Sequence, residues 1–188
     1  MNKIFTDAID KCPIIAAVKD FDGLARCLES ESNIIFILFG DICNIADIVK
    51  TIKSSGRIAM VHIDLISGLS SKEISVDFIK HNTEADGIIS IKQAIIKRAK
   101  ELGLFTVFRF FVIDSMAFEN ILKQCEAVKP DYVELLPGVM PKVIKRICDA
   151  TYVPVIAGGL ISDKEDVIAA LSAGAVSISS TNQEVWFM

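Results

Sequence analysis

Histidine is almost missing from this chain: there are two in 188 residues, His62 and His81. Metal-dependent sugar-phosphate enzymes draw on several His and Asp ligands, so this supply argues against a metal centre. Cysteine is sparse and lacks any pairing pattern. Cys12, Cys27, Cys43, Cys125 and Cys148 lie far apart with no Cys-x-x-Cys. An odd, scattered set points away from a disulfide frame or zinc site and towards the reduced thiols of a cytosol, packed as small buried hydrophobes. Long apolar runs are absent too. The longest, Ile34 to Phe39, is six residues, against about 20 for a membrane-spanning helix. The opening Met1-Asn-Lys-Ile-Phe-Thr-Asp has an early acid and no apolar stretch, so it does not read as a secretory leader. Positive charge is not in excess: 20 Lys and Arg face 24 Asp and Glu, a net charge of −4. Such a chain is not built to coat nucleic acid non-specifically, and an RNA partner would need a local basic patch.

No Gly/Ser/Pro-rich linker or charge block divides residues 1–188, and the length suits one domain. Apolar residues make up 52%, enough for a sizeable core. They fall into eight short runs: Ile14–Val18, Ile34–Phe39, Ile58–Ile63, Gly87–Ile91, Leu104–Phe111, Tyr132–Leu136, Val153–Ala157 and Val176–Ser179. Near-continuous apolar runs are the mark of parallel strands buried on both faces. Between them lie amphipathic stretches. Ile45, Ile48, Val49 and Ile52 keep helical spacing, as do Ala94, Ile95, Ala99 and Leu102, and, less cleanly, Val167, Ile168, Ala170 and Leu171. Ser70-x-x-Glu73, Ser162-x-x-Glu165 and Thr181-x-x-Glu184 read as capping boxes, and Gly56, Gly103 and Gly174 as helix stops. The alternation predicts an α/β fold, a short (β/α)8 TIM-type barrel. Its eighth helix is truncated to a stub around Gln183–Phe187, leaving apolar surface near Trp186 and Phe187 for a homodimer partner to cover. A doubly wound open sheet is the competing architecture.

In a barrel, function gathers at the carboxyl ends of the strands. Those ends read Lys19-Asp20, Gly40-Asp41, His62 and Asp64, Ser90 and Lys92, Arg109, Glu134 to Gly138, Gly158-Gly159, and Ser179-Ser180. His62 and Asp64 would share a face, two residues apart on a strand. Three cations, Lys19, Lys92 and Arg109, against two acids, Asp64 and Glu134, leave one positive charge for an anion if all point inward. A core ion-pair network is the plainer interpretation. The strongest local signal pairs Gly158-Gly159 after strand seven with Ser179-Ser180-Thr181-Asn182 opening a helix after strand eight. Glycines let backbone amides approach an oxyanion, and a helix start aims free N–H groups at the same place. Barrels commonly bind phosphate between these loops.

No nucleophilic triad is recognisable, and neither Lys19 nor Lys92 is marked as an activated amine. No catalytic residue, metal or cofactor is expected. His81 falls at the end of the third crossover helix, away from the rim. Two basic clusters, Lys97, Arg98 and Lys100, and Lys142, Lys145 and Arg146, could touch RNA phosphates, although solvated helix faces look the same.

The chain resembles the glycerol uptake operon antiterminator regulators of bacteria, from Cys12-Pro-Ile-Ile-Ala-Ala-Val-Lys19 to Trp186. The clearest pieces are His62-Ile-Asp-Leu-Ile-Ser-Gly-Leu69, Gly87-Ile-Ile-Ser90, Glu134-Leu-Leu-Pro-Gly138, Ala157-Gly-Gly-Leu-Ile161 and Ser179-Ser180. The resemblance implies a cytoplasmic regulator, not an enzyme, that responds to glycerol 3-phosphate and acts on leader messenger RNA so that transcription passes a terminator. It implies phosphate at Gly158, Gly159, Ser179 and Ser180, with glycerol hydroxyls meeting His62, Asp64, Glu134 or Arg109, and Lys19 and Ser90 beside them. The sequence departs from the pattern at Ser90-Ile-Lys92, where Ser-Thr-Arg or Ser-Thr-Lys is expected. Two other readings stay open: a barrel enzyme acting on a phosphosugar or triose phosphate with Asp64 or Glu134 as base, and a pure RNA-binding module.

Overall fold

The computed structural model describes residues 3–188; Met1 and Asn2, which open the segment read for a leader, lie outside the described residues. Eight parallel strands close into one barrel in sequence order: β1 Ile14–Val18, β2 Ile34–Ile37, β3 Ile58–His62, β4 Gly87–Ser90, β5 Phe105–Phe111, β6 Tyr132–Leu136, β7 Val155–Gly158 and β8 Ser177–Ser180. Ile14↔Ile178 and Ala16↔Ser180 pair β1 with β8 and shut the ring. The barrel, not the open sheet, is therefore the architecture.

Eight α-helices are found among the described residues. The first, α1 (Lys3–Lys11), precedes the barrel and was not foreseen. Phe5, Ala8 and Ile9 keep i, i+3, i+4 spacing and enter the inner core, with the Phe5 ring 5.3 Å from Phe105 and 4.6 Å from Tyr132. They plug the amino end of the barrel. The crossovers are α2 (Phe21–Cys27), α3 (Ile45–Ser54), α4 (Ile74–Asn82), α5 (Gln93–Glu101), α6 (Ser115–Val128), α7 (Pro141–Ala150) and α8 (Lys164–Ser172). After β8 there is only a 3-10 segment, Gln183–Phe187, the foreseen stub.

Strand alternation divides the core in two. Ile15, Phe36, Met60, Ile89, Val107, Tyr132 and Ile156 point into the barrel. Ile35, Val61, Ile88, Phe108, Val133, Ala157 and Ile178 point out to the helices. The α3 stripe Ile45, Ile48, Val49 and Ile52 is buried as its spacing requires. On α5 the buried face is Ile95, Ile96 and Ala99, with Ala94 exposed, and on α8 Ile168 is exposed.

Three local expectations are corrected. None of the capping boxes forms as read. The first residue of α8 follows Asp163, whose carboxylate accepts from Asp166 N, while Asp166 accepts from Ser162 N and Oγ. The cap sits one residue later, at Asp163, which takes Asp166 N rather than the Glu165 amide that Ser162 would have taken. Asn182, not Thr181, caps the 3-10 segment, and Glu73 stands at the N-cap of α4 without a side-chain bond. Trp186 is also not left bare. Its indole is 2% exposed and donates to Ser180 O at 2.7 Å, so the stub fills the missing helix's place within the same chain, although Phe187 stays 44% exposed as expected. Among the thiols, Cys27 and Cys125 are core residues, and burial pushes both up to about 11, but Cys43 is exposed.

Candidate functional site

With α1 closing one end, the carboxyl end is the open one. The same alternation that puts Val107 and Tyr132 inside carries Arg109 and Glu134 inside one layer higher, joined by His62, Gly158 and Ser179 from their strands. The barrel thus changes from aliphatic to polar in its top layer. A cavity of about 390 Å³ opens there, lined by Arg109, Glu134, Leu136, the loop Gly159–Ser162, and Ser179 to Asn182.

Glu134 organises this layer. It is 1% exposed, and its Oε2 accepts from Arg109 Nε at 2.5 Å while Oε1 accepts from Ser179 Oγ at 2.5 Å. These contacts explain Gly158: a Cβ there would fall 2.5 Å from Ser179 Oγ and 2.6 Å from Glu134 Oε1. Gly158 is thus required by packing beneath the mouth. Gly159 is different. It has φ +75, and Leu160, a non-glycine residue, follows at φ +62. An exposed leucine in left-handed backbone is unfavourable by about 1–2 kcal/mol, and strain of this kind collects at ligand-binding turns. The turn is tied down by Gly138 N donating to Gly159 O at 2.9 Å and by Ser180 Oγ donating to Ile161 O at 2.8 Å. The N–H groups of Leu160, Ile161 and Thr181 meet no acceptor among the described residues.

Ser179 and Ser180 part company. Neighbours on a strand face opposite ways, so Ser179 points into the barrel and Ser180 into the loop layer, where its Oγ also accepts from Asn182 N. The Ser180 hydroxyl lines the cavity but is engaged in structure. The helix start after β8 is likewise mostly occupied, since Glu184 N donates to Asn182.

Across the mouth a second polar group forms. Asp64 lies in a 3-10 turn, Ile63–Leu65, not on the strand, yet its Oδ2 stands 3.9 Å from His62 Nδ1. Ser90 Oγ donates to Asp64 Oδ2 at 2.7 Å, Ile91 N at 3.1 Å, and Lys92 Nζ sits 3.0 Å from Oδ1. Burial works to raise this carboxyl, but Ser90, Lys92 and the Ile91 amide prevail and hold it below the usual range. Lys19 is exposed at the end of β1 and does not line the cavity. The expected surplus of positive charge is therefore corrected: Arg109 pairs with Glu134 and Lys92 with Asp64, because buried charges seek partners. His81 is exposed, its Nδ1 2.7 Å from Asp77 O.

His62 is 3% exposed, and its Nδ1 has no hydrogen-bond partner. Burial first, and the Arg109 charge second, lower it from 6.5 to about 4. Its folded value lies below its unfolded one, so the stability it contributes is full above about pH 6.5 and is lost as pH falls towards 4. The loss is at most roughly 3 kcal/mol. His62→Asn should flatten this acid limb in denaturant unfolding measured at successive pH values; an unchanged limb would assign it to other groups.

The basic clusters are partly engaged. Arg98 binds Asp77 and Glu101, Lys145 pairs with Asp149, and the Arg146 guanidinium lies 4.6 Å over the Phe118 ring. Lys97 and Lys142 are exposed.

Known proteins agree with this architecture. YgcP of Escherichia coli (strain K12), described as uncharacterized, is 47% identical over 174 residues, covering 93% of this chain and 91% of its own. The glycerol uptake operon antiterminator regulatory protein of Listeria monocytogenes superposes with TM-score 0.90 at 30% identity, covering 93% of this chain and 95% of that one. A glycerol uptake operon antiterminator-related protein of Thermotoga maritima gives 0.80 at 35% identity, covering 92% and 96%. Barrel enzymes, an aldolase and orotidine 5'-phosphate decarboxylase among them, stand at 11% and 17% identity and share the fold alone. The profile of the glycerol-3-phosphate responsive antiterminators, a regulatory family, matches residues 14–186. The chain belongs to that family.

Proposed function

We propose that the protein is a cytoplasmic sensor that binds glycerol 3-phosphate, or a similar small phosphate ester, in its barrel mouth and thereby alters its hold on a leader messenger RNA. The observation that carries the ligand half is the left-handed Gly159-Leu160 turn, whose unengaged N–H groups border a cavity facing Arg109. Successive backbone N–H groups in such turns form anion-binding concavities. The phosphate sits against this turn and Ser179, with the glycerol end towards Arg109 and His62, and Asp64 and Ser90 as the further wall. Gly158 and Ser180 support the site from behind. Lys19, exposed at the end of β1, reaches the ligand only from outside. Calorimetric and thermal-shift titration with glycerol 3-phosphate, alongside a product assay, tests this. Binding without turnover supports the sensor, and turnover would replace it with an enzyme.

The RNA half has its support in charge distribution. Residues 92–150 carry ten Lys and Arg against seven Asp and Glu, whereas the rest carry ten against seventeen. The flank of α5, α6 and α7 is thus the cationic side of an acidic molecule, and long-range potential would bring a polyanion there. Charge reversal at Lys142, Lys145 and Arg146 should reduce leader binding at least tenfold and flatten its salt dependence, read by filter binding. Unchanged affinity would exclude that flank. We also propose a homodimer, now on the exposed Phe111, Ile113, Met116 and Leu160 around the mouth; a clean monomer by light scattering would remove it.

A further inference from the structure

We infer that Glu134 sets the charge state in which the phosphate ester is held, so that binding above neutral pH takes up one proton. This rests on the ligand half of the proposed function.

The charges facing the mouth can be followed around the ring. From β3 and its turn come His62, neutral, and Asp64. From the β4 side comes Lys92, paired with Asp64. From β5 comes Arg109, paired with Glu134 of β6. Behind the β7 turn, Asp166 of α8 holds Ser162 N and Oγ, and β8 offers only hydroxyls. Lys19 is exposed outside the cavity. Arg109 and Lys92 therefore each already have a carboxylate. A phosphate monoester, whose second pKa is about 6, would arrive as a dianion with no unmatched positive side chain inside the cavity to receive it.

Glu134 is the carboxylate that lines the cavity and is 1% exposed. It is also the group that a phosphate disturbs. A hydroxyl has one proton to donate, so Ser179 Oγ cannot serve both Glu134 Oε1 and a phosphate oxygen. The glycerol end, accepting from Arg109, weakens the other support. A buried carboxylate beside a dianion, with its donors turned away, is the arrangement that favours a proton most strongly. The proton comes from the buffer and lies between Glu134 and the phosphate, and the bound pair carries one negative charge fewer than its separate parts.

The test is titration calorimetry with glycerol 3-phosphate at about pH 8 in buffers of different ionisation enthalpy. The expected heat varies with the buffer, with a slope near one proton, and affinity falls about tenfold per pH unit above neutrality, as linkage requires. In Glu134→Gln, Arg109 is left without a carboxylate, its unmatched charge offsets the second negative charge of the ligand, and both dependences disappear. Because that variant could fail to fold, glycerol 3-sulfate on the unaltered protein supplies the same comparison. It is singly charged throughout, and it should bind with no buffer or pH dependence. Binding of glycerol 3-phosphate with buffer-independent heat would overturn the inference and leave the phosphate site standing. No binding of either ester would remove both.

Discussion

Gly159→Asp should lower affinity for glycerol 3-phosphate by at least about a hundredfold, or roughly 2.7 kcal/mol. Two effects add. At φ +75 a side chain is strained, and a Cβ would stand 3.2 Å from Leu136 Cδ2. The left-handed cost alone is about 1–2 kcal/mol. The new carboxylate also borders the cavity, where like-charge contact with a phosphate costs several kcal/mol. Gly159→Ala separates the two, since it carries the strain without the charge and should lose only part of the affinity. Calorimetric titration of both variants, with melting curves to register the strain, checks the expectation. Equal and slight losses would mean that the turn does not hold the anion.

The second large effect concerns stability. Arg109→Ala leaves Glu134 buried among Gly158, Ser179 and apolar neighbours without its counter-charge. Removing one partner of a buried pair typically costs 3–5 kcal/mol, and removing both together often costs little. Denaturant unfolding of Arg109→Ala should therefore show a loss of about that size, and Arg109→Met combined with Glu134→Leu should recover most of it. A deficit that the double variant does not recover would indicate lost packing instead.

Much of the fold was legible because parallel strands and barrel crossovers leave strong periodicities. Ile45, Ile48, Val49 and Ile52 spell out α3, and the eight apolar runs coincide with the eight strands to within about two residues at either end. The stub at Gln183–Phe187 followed from chain length. What escaped was decided by tertiary contact. The α1 plug carries a readable stripe, Phe5, Ala8 and Ile9, but nothing in it says that it closes a barrel. Capping went to Asp163 and Asn182, each one residue past the expected cap, a shift that neighbouring Ser, Thr, Asp and Asn side chains leave open in the sequence. The site was legible as a set and illegible as a circuit. Rim position brought His62, Arg109, Glu134, Gly159 and Ser179 together. Sequence could not tell that Glu134 faces both Arg109 and Ser179, that Ser180 turns away, or that Lys19 stays outside. Those facts come from register, Arg109↔Glu134 and Gly158↔Ser179, which only the closed ring defines.

A crystal structure grown with glycerol 3-phosphate tests the account most directly. The phosphate is predicted within hydrogen-bond reach of the Leu160 and Ile161 amides and Ser179 Oγ, with the carbon chain directed towards Arg109 and His62. Density for the phosphate on the basic flank of α5 to α7, or at the α1 end of the barrel, would contradict it.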